Sequence, residues 1–392
     1  MEFFSLIQEE WVIRALIASC VVGLMCGMLG AFVVLRNMAM IGDALSHSIL
    51  PGVVFAFMLV GHSTLGFFTG SVIAGLITAI GITWIQQQGF TKNDAAIGIV
   101  FTAMFSIGVM AISAINRRPG VHLDLVDFLF GDVLGVSNED LWLTGGVAIY
   151  VVISILLFYR YLFVTTFQPV IAKTMGISVQ MVHYFVMLLL SFVVVAALRT
   201  VGVILVVAML ITPAATALLL ADRLPRVLTL SGILGVLSAF LGLVFSIEFD
   251  TTPGPAMAIV AAGFYLLALF FSPRRGVLTR YRQRAQIKRR ILLEDTLKEA
   301  YRLNQKNTLE QALLAQKLNL SNRRLQPLLT SLRKRKWMEP DELLLTPAGE
   351  DKARKMVRAH RLWESYLVSH VGLSAEQIHE EAEHYEHFLD EE

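Results

Sequence analysis

The chain has 392 residues, 55% of them hydrophobic and 16% charged, with 28 glycines, 15 methionines and a formal net charge of +2. That is too apolar for an ordinary soluble protein of this length, so a purely aqueous enzyme or binding module is excluded and a polytopic membrane protein is expected. Charge is unevenly placed: 23 of the first 272 residues are Asp, Glu, Lys or Arg against 41 of the last 120, so the two parts face different solvents.

The first ten residues hold Glu2, Glu9 and Glu10 and no Lys or Arg, and the apolar run after Trp11 outlasts a signal core, so no cleaved secretory signal is expected. Nine spans follow, at 11–35, 40–60, 64–86, 94–115, 141–163, 182–199, 201–220, 227–246 and 255–271. Each is long enough for roughly 30 Å of hydrocarbon at about 1.5 Å per residue. Cys20 and Cys26 lie six apart in the first span, on different helical faces, which excludes a disulfide framework. Gly23, Gly27 and Gly30, and later Gly232, Gly235 and Gly242, allow helices to approach closely. Arg36, Lys92, Arg160 with Lys173, Arg223 with Arg226, and Arg274 with Arg275 fall in alternate connections, which makes those connections cytoplasmic, the amino terminus external and the tail internal. Arg117 and Arg118 fall on the other side, in a loop that Asp124, Asp127 and Asp132 make mixed rather than basic.

The second span carries the informative exception, since a carboxylate at the bilayer centre costs about 2.5 to 3.5 kcal/mol even on a lenient scale. Asp43 and His47 stand four apart and so on one helical face. An oxygen and a nitrogen ligand side by side suit manganese, zinc or ferrous iron, and an Asp to His hydrogen bond that merely satisfies two buried groups is the competing reading. Two copies about a twofold axis would assemble four ligands on one pathway. No phosphate-binding loop of the Gly-x-x-x-x-Gly-Lys-Ser/Thr kind occurs, so no ATP site is expected on this chain. The longest outer connection, 116–140, is too short to fold as a separate binding domain, and its His122, Asp124, Asp127 and Asp132, with Glu248 and Asp250 at the end of the eighth span, offer at most a cation-attracting rim.

The run Asp43 to Gly52, the segment Gly131 to Ser137, the segment Gly202 to Ala215 and the stretch Asp250 to Pro255 resemble the permease subunits of manganese, zinc and iron ABC importers, over about residues 10–272. The resemblance implies that Asp43 and His47 coordinate the metal in the translocation path. It implies that 166–177 is the coupling helix, with Phe167, Gln168, Ala172 and Gly176 at the ATPase, although Gln168 replaces the family's usual acidic residue. Its further implications are a cytoplasmic ATPase subunit, an extracytoplasmic metal-binding protein, a second permease subunit in a homo- or heterodimer, and a bacterial plasma (inner) membrane location. The expected architecture is an all-α polytopic membrane domain over 1–272, a basic juxtamembrane linker over 273–290 and a small, mainly α, winged-helix-like cytoplasmic domain over 291–392.

Arg274 to Arg290 is a basic run suited to the anionic inner leaflet, where each Lys or Arg contributes about 1 kcal/mol, more than to nucleic acid. Helices at 291–305, 308–317 and 321–337, a turn at Glu339 to Glu342 and a short strand from Leu343 to Thr346 follow the order of a winged helix. Ser321 is the expected N-cap of the third helix and Pro327 its expected kink. Beyond it His360 with Glu364, His379 with Glu383, and Glu383 with Glu386 and His387 stand three or four apart, a ligand-rich face that competes with a plain solvated one. These residues resemble the diphtheria-toxin-repressor type of metal-dependent regulator, which implies one site from His360, Glu364 and His379 and a second from Glu383, Glu386 and His387. Asp295 matches a first-helix ligand of that family, and Lys298 stands where another acid is usual. The leading expectation is therefore the permease of a divalent-metal ABC importer with a metal-sensing tail. A chelate permease and a membrane-anchored metal-responsive transcription regulator are the alternatives.

Overall fold

A computed structural model describes residues 9–61, 63–88, 92–117, 133, 135–273, 275–306 and 308–366. The chain divides between Thr279 and Arg280 into two units, and the regular elements described in both are helices.

The first unit holds α1 (Glu10–Leu35), α2 (Ala39–Ser48), α3 (Leu50–Val60), α4 (Thr64–Gln87), α5 (Asn93–Ile115), α6 (Asn138–Leu157), α7 (Tyr159–Phe167), α8 (Pro169–Thr174), α9 (Val179–Leu220), α10 (Leu224–Glu248) and α11 (Pro253–Phe271). Among the described residues these supply nine helical stretches long and apolar enough to cross a membrane, with α2 and α3 forming one of them and α9 two. Local sequence sets the starts. Ser63, Ser137 and Ser178 accept the N–H of Gly66, Asp140 and Met181 at 3.1 to 3.3 Å, and Pro225 and Pro253 sit in first turns where no intrahelical donor is needed.

Two breaks fall inside expected spans, and a third falls near the boundary expected between the sixth and seventh. The second span is cut at Ile49, because Pro51 lacks the N–H that the His47 carbonyl would otherwise receive. The fifth stops at Phe158, with φ −94° and ψ 11°, although the apolar run continues into α7. In α9 the helix breaks at Gly202, whose φ of 76° and ψ of 167° only glycine adopts without strain.

α1 is the centre of the unit. Side chains at Gly23, Gly27 and Gly30 would run into the backbone of Gly235, Ser231 and Leu210, so α1 packs backbone against backbone on α10 and α9. The pairing of Gly23 with Gly235 and Gly27 with Ser231 makes α1 and α10 antiparallel, which sets Leu224 beside Leu35. Arg36 bonds Thr165 and Thr166 on α7, and Ser272 and Arg275 bond the carbonyls of Leu219 and Leu218. One face of the unit thus gathers Arg36, Lys173, Arg223, Arg226 and Arg275.

The second unit contains most of α12 (Val277–Gln305), with α13 (Gln311–Lys317), α14 (Asn322–Lys334) and α15 (Pro347–Tyr366). From Val277 the basic run forms one helix with 291–305, as its Arg, Lys and Gln side chains favour. Leu293, Leu297, Ala300 and Leu303 on one face of α12 meet Leu314 and Leu325, Leu328, Leu329 and Leu332. α14 runs through Pro327 from Asn322 to Lys334. The expected strand narrows to one antiparallel bridge, Met338 to Leu345, since Pro340 in the intervening turn has no N–H to extend the pairing.

Candidate functional site

α2 is short and two-faced. Ile41, Ala44, Leu45 and Ser48 are buried, while Asp43 and His47 emerge on the other side with 48% and 25% of their side-chain surface exposed. They lie four and eight residues into the Ala39–Val60 span, about 6 and 12 Å along its axis and on the basic-face side of its middle. His47 Nε2 is 3.8 Å from Asp43 Oδ1. That exceeds hydrogen-bond length, so the pair does not satisfy itself. It is less than twice the roughly 2.1 Å bond of first-row divalent ions to such atoms, so one cation reaches both without backbone movement. Ser46 Oγ donates to the Asp43 carbonyl at 2.7 Å, which leaves the carboxylate uncommitted by it. Phe101 and Phe105 of α5 wall the imidazole at centroid distances of 5.8 and 5.9 Å, the first tilted and the second edge-on. Sequence reasoning missed this wall, because two phenylalanines four apart in an apolar span read as ordinary packing.

Among the described residues no group of three His, Cys, Asp or Glu is assembled for a metal. Among these residues one copy presents the Asp43 and His47 pair rather than a closed site.

The second candidate segment follows α7. The α8 helix ends in a Schellman motif, with Gly176 at φ 75°, its N–H on Lys173 O at 3.1 Å and the Ile177 N–H on Ala172 O at 2.9 Å. Ala172 is fully buried, whereas Phe167, Val170, Ile171 and Met175 are 49, 73, 47 and 54% exposed, and Gln168 is exposed too. This apolar knob stands at the basic face of the unit, on a corner with no span of its own.

In the second unit Asp295 Oδ1 lies 3.9 Å from Nζ of Lys298, which is 2% exposed. His360 and Glu364 belong to α15, but their side chains, like all of His379, Glu383, Glu386 and His387, lie outside the described residues. The loop residues His122, Asp124, Asp127 and Asp132 also lie outside them. Glu248 ends α10, and Asp250 follows with φ 51°.

Residues 8–272 match the ABC 3 transport family, and residues 346–392 match the metal-binding and dimerisation domain of iron-dependent repressors. The chain is 50% identical over 279 residues to a manganese transport system membrane protein, MntC, of Halalkalibacterium halodurans, covering 71% of this chain and 93% of that one. It is 37% identical to another, MntD of Bacillus subtilis, over 69% of this chain and 95% of that one. Among solved structures, a chain of PsaBC from Streptococcus pneumoniae in complex with Fab superposes with a TM-score of 0.63 at 38% identity, over 70% of this chain and 96% of that chain.

Proposed function

The chain belongs to the ABC 3 transport family and is a multi-pass membrane protein, and from that footing we propose that it is the permease of an importer that brings manganese into the bacterial cytoplasm. The observation that carries the reading is the Asp43 and His47 pair: two ligands 3.8 Å apart, unbonded to each other, on the exposed side of a membrane-spanning stretch. A carboxylate left against lipid is costly, so this face is covered by protein, and a second permease subunit is the covering that also completes the coordination set. Imidazole and carboxylate together accept manganese, zinc and iron alike, and the manganese systems among the relatives favour manganese.

The basic face is cytoplasmic on this reading, since Lys and Arg accumulate on the inner side. It puts the exposed Phe167, Val170, Ile171 and Met175 where a soluble ATPase subunit docks and supplies the hydrolysis. An extracytoplasmic metal-binding protein delivers the ion to the opposite face. The tail, with His360, Glu364, His379, Glu383, Glu386 and His387, binds divalent metal in the cytoplasm and joins the two tails of the permease pair, the role that its match to a metal-binding and dimerisation domain supports. Asp295 is the weakest member of that ligand set, because Lys298 competes with a metal for it.

The test is ATP-driven uptake by vesicles that contain the full chain, its ATPase and its binding protein, with manganese, zinc and ferrous iron in turn. Manganese is expected to accumulate in wild-type vesicles and not in those carrying Asp43→Ala. Equal uptake by both would overturn the assignment.

A further inference from the structure

Arg36 is where the two candidate segments meet. It caps the carboxyl end of α1, its N–H bonding Phe32 O at 3.0 Å, and its side chain reaches α7. There Nη2 donates to Thr165 Oγ1 at 2.6 Å and Nε donates to Thr166 Oγ1 at 3.0 Å. Both hydroxyls are already committed as donors, Thr165 to Tyr161 O at 2.7 Å and Thr166 to Leu162 O at 2.6 Å, so what they offer Arg36 is fixed lone pairs. No described carboxylate pairs with Arg36. Burial draws its guanidinium down to about 10, which leaves it charged at neutral pH. Two neutral hydroxyls are modest compensation for a desolvated cation, so stability alone is a poor reason for placing an arginine here.

Geometry supplies a better one. On one side of Arg36 the chain turns at once into α2: Asn37 takes φ 56°, and the N–H groups of Asn37 and Met38 bond Val34 O and Val33 O at 3.1 and 2.8 Å in a second Schellman motif. Met38 and Ile41, at 4% and 3% exposure, lock that corner into the core, and Asp43 stands one turn further on. On the other side Thr166 is followed by Phe167, Gln168 and then α8.

We propose that Arg36 is a positioning residue that transmits movement of α8 to the Asp43 and His47 pair, by clamping the α7 hydroxyls to the rigid corner from which α2 starts. The proposal rests on the permease reading above. When the ATPase displaces α8, α7 moves with it, and two short bonds carry that movement to the corner and so to the metal ligands. Without the clamp, hydrolysis proceeds while the ligand pair stays where it was.

The experiment measures ATP hydrolysed and manganese imported in the same vesicles, using the full chain with its ATPase and binding protein. Arg36→Lys keeps the charge but replaces a planar fork by a single ammonium on a flexible stem, so the two bonds lose their fixed geometry. A Thr165→Val, Thr166→Val pair removes the acceptors and leaves Arg36 in place. Each is expected to raise the ATP used per manganese imported at least about fivefold, with no further increase when they are combined. A Thr165→Ser, Thr166→Ser pair, which keeps both hydroxyls, is expected to hold the wild-type ratio. A ratio unchanged in both disrupted variants overturns the proposal, including the case in which they lower complex yield and both rates in parallel, the mark of a purely structural role. The Asp43→Ala control separates the two levels. Import that persists in it removes the permease reading, whereas import lost in it together with unchanged ratios at Arg36 and the threonines removes this inference alone.

Discussion

α1 and α2 are separated by three residues, yet one packs as frame and the other carries the proposed metal pair. α1 buries its glycine edge against the backbones of α9 and α10. α2 buries only one face and turns Asp43 and His47 outward, against an aromatic wall on one side and open surface on the other. The contrast shows how a membrane protein divides labour among side chains. Where no hydrophobic drive exists between helices, small residues fix them by close approach. Polar residues, costly against lipid, mark the candidate path of an ion.

The contrast breaks most sharply under substitution at the two helices. His47→Ala removes a ligand that makes no structural hydrogen bond among the described residues, so manganese uptake should fall at least about 100-fold, the upper end of what losing even an outer partner of a bound metal costs. Folded yield in detergent should be unchanged, and a matching loss of yield would make His47 part of the frame instead. Gly27→Leu should do the reverse. It forces a side chain into the Ser231 backbone and costs about 1 to 3 kcal/mol, read as a lower unfolding temperature, while uptake per folded molecule is kept.

Smaller effects sharpen the picture at the basic face. Val170→Asp puts a charge on the exposed knob of α8 and should weaken ATPase binding by about tenfold, or roughly 1.4 kcal/mol, in a pull-down titration. Unaltered binding would move the docking surface elsewhere. Asp222→Asn should do least. Its 3.1 Å pair with Arg275 is nearly half-exposed on both sides, and Arg275 keeps its bond to Leu218 O. The expected cost is below about 1 kcal/mol, with uptake unchanged.

Much of this arrangement was legible in the sequence. Hydropathy locates all nine spans, because length and apolarity are the two demands that a bilayer makes. The i, i+4 spacing of Asp43 and His47 gives their shared face, and Gly176 gives the end of α8. The break at Phe158 was harder to read, since it lies in continuously apolar sequence where hydropathy registers no change, whereas the one at Gly202 falls near the boundary expected between the spans 182–199 and 201–220. Pro51 did carry the signal for the cut at Ile49. Arg36 was legible only as a charge at a span end, because its partners lie about 130 positions away, at Thr165 and Thr166. The wing of the tail failed as a strand for a local reason, a proline in a four-residue turn.

The central claim is that Asp43 and His47 hold the cargo, and manganese binding tests it most directly. The full chain is purified with His360→Ala, His379→Ala and Glu383→Ala, which silence the tail, and bound manganese is counted at equilibrium with and without Asp43→Ala. One ion per two chains, lost on adding Asp43→Ala, is the expected result. Binding that Asp43→Ala leaves untouched would contradict it and place the ion elsewhere in the membrane unit.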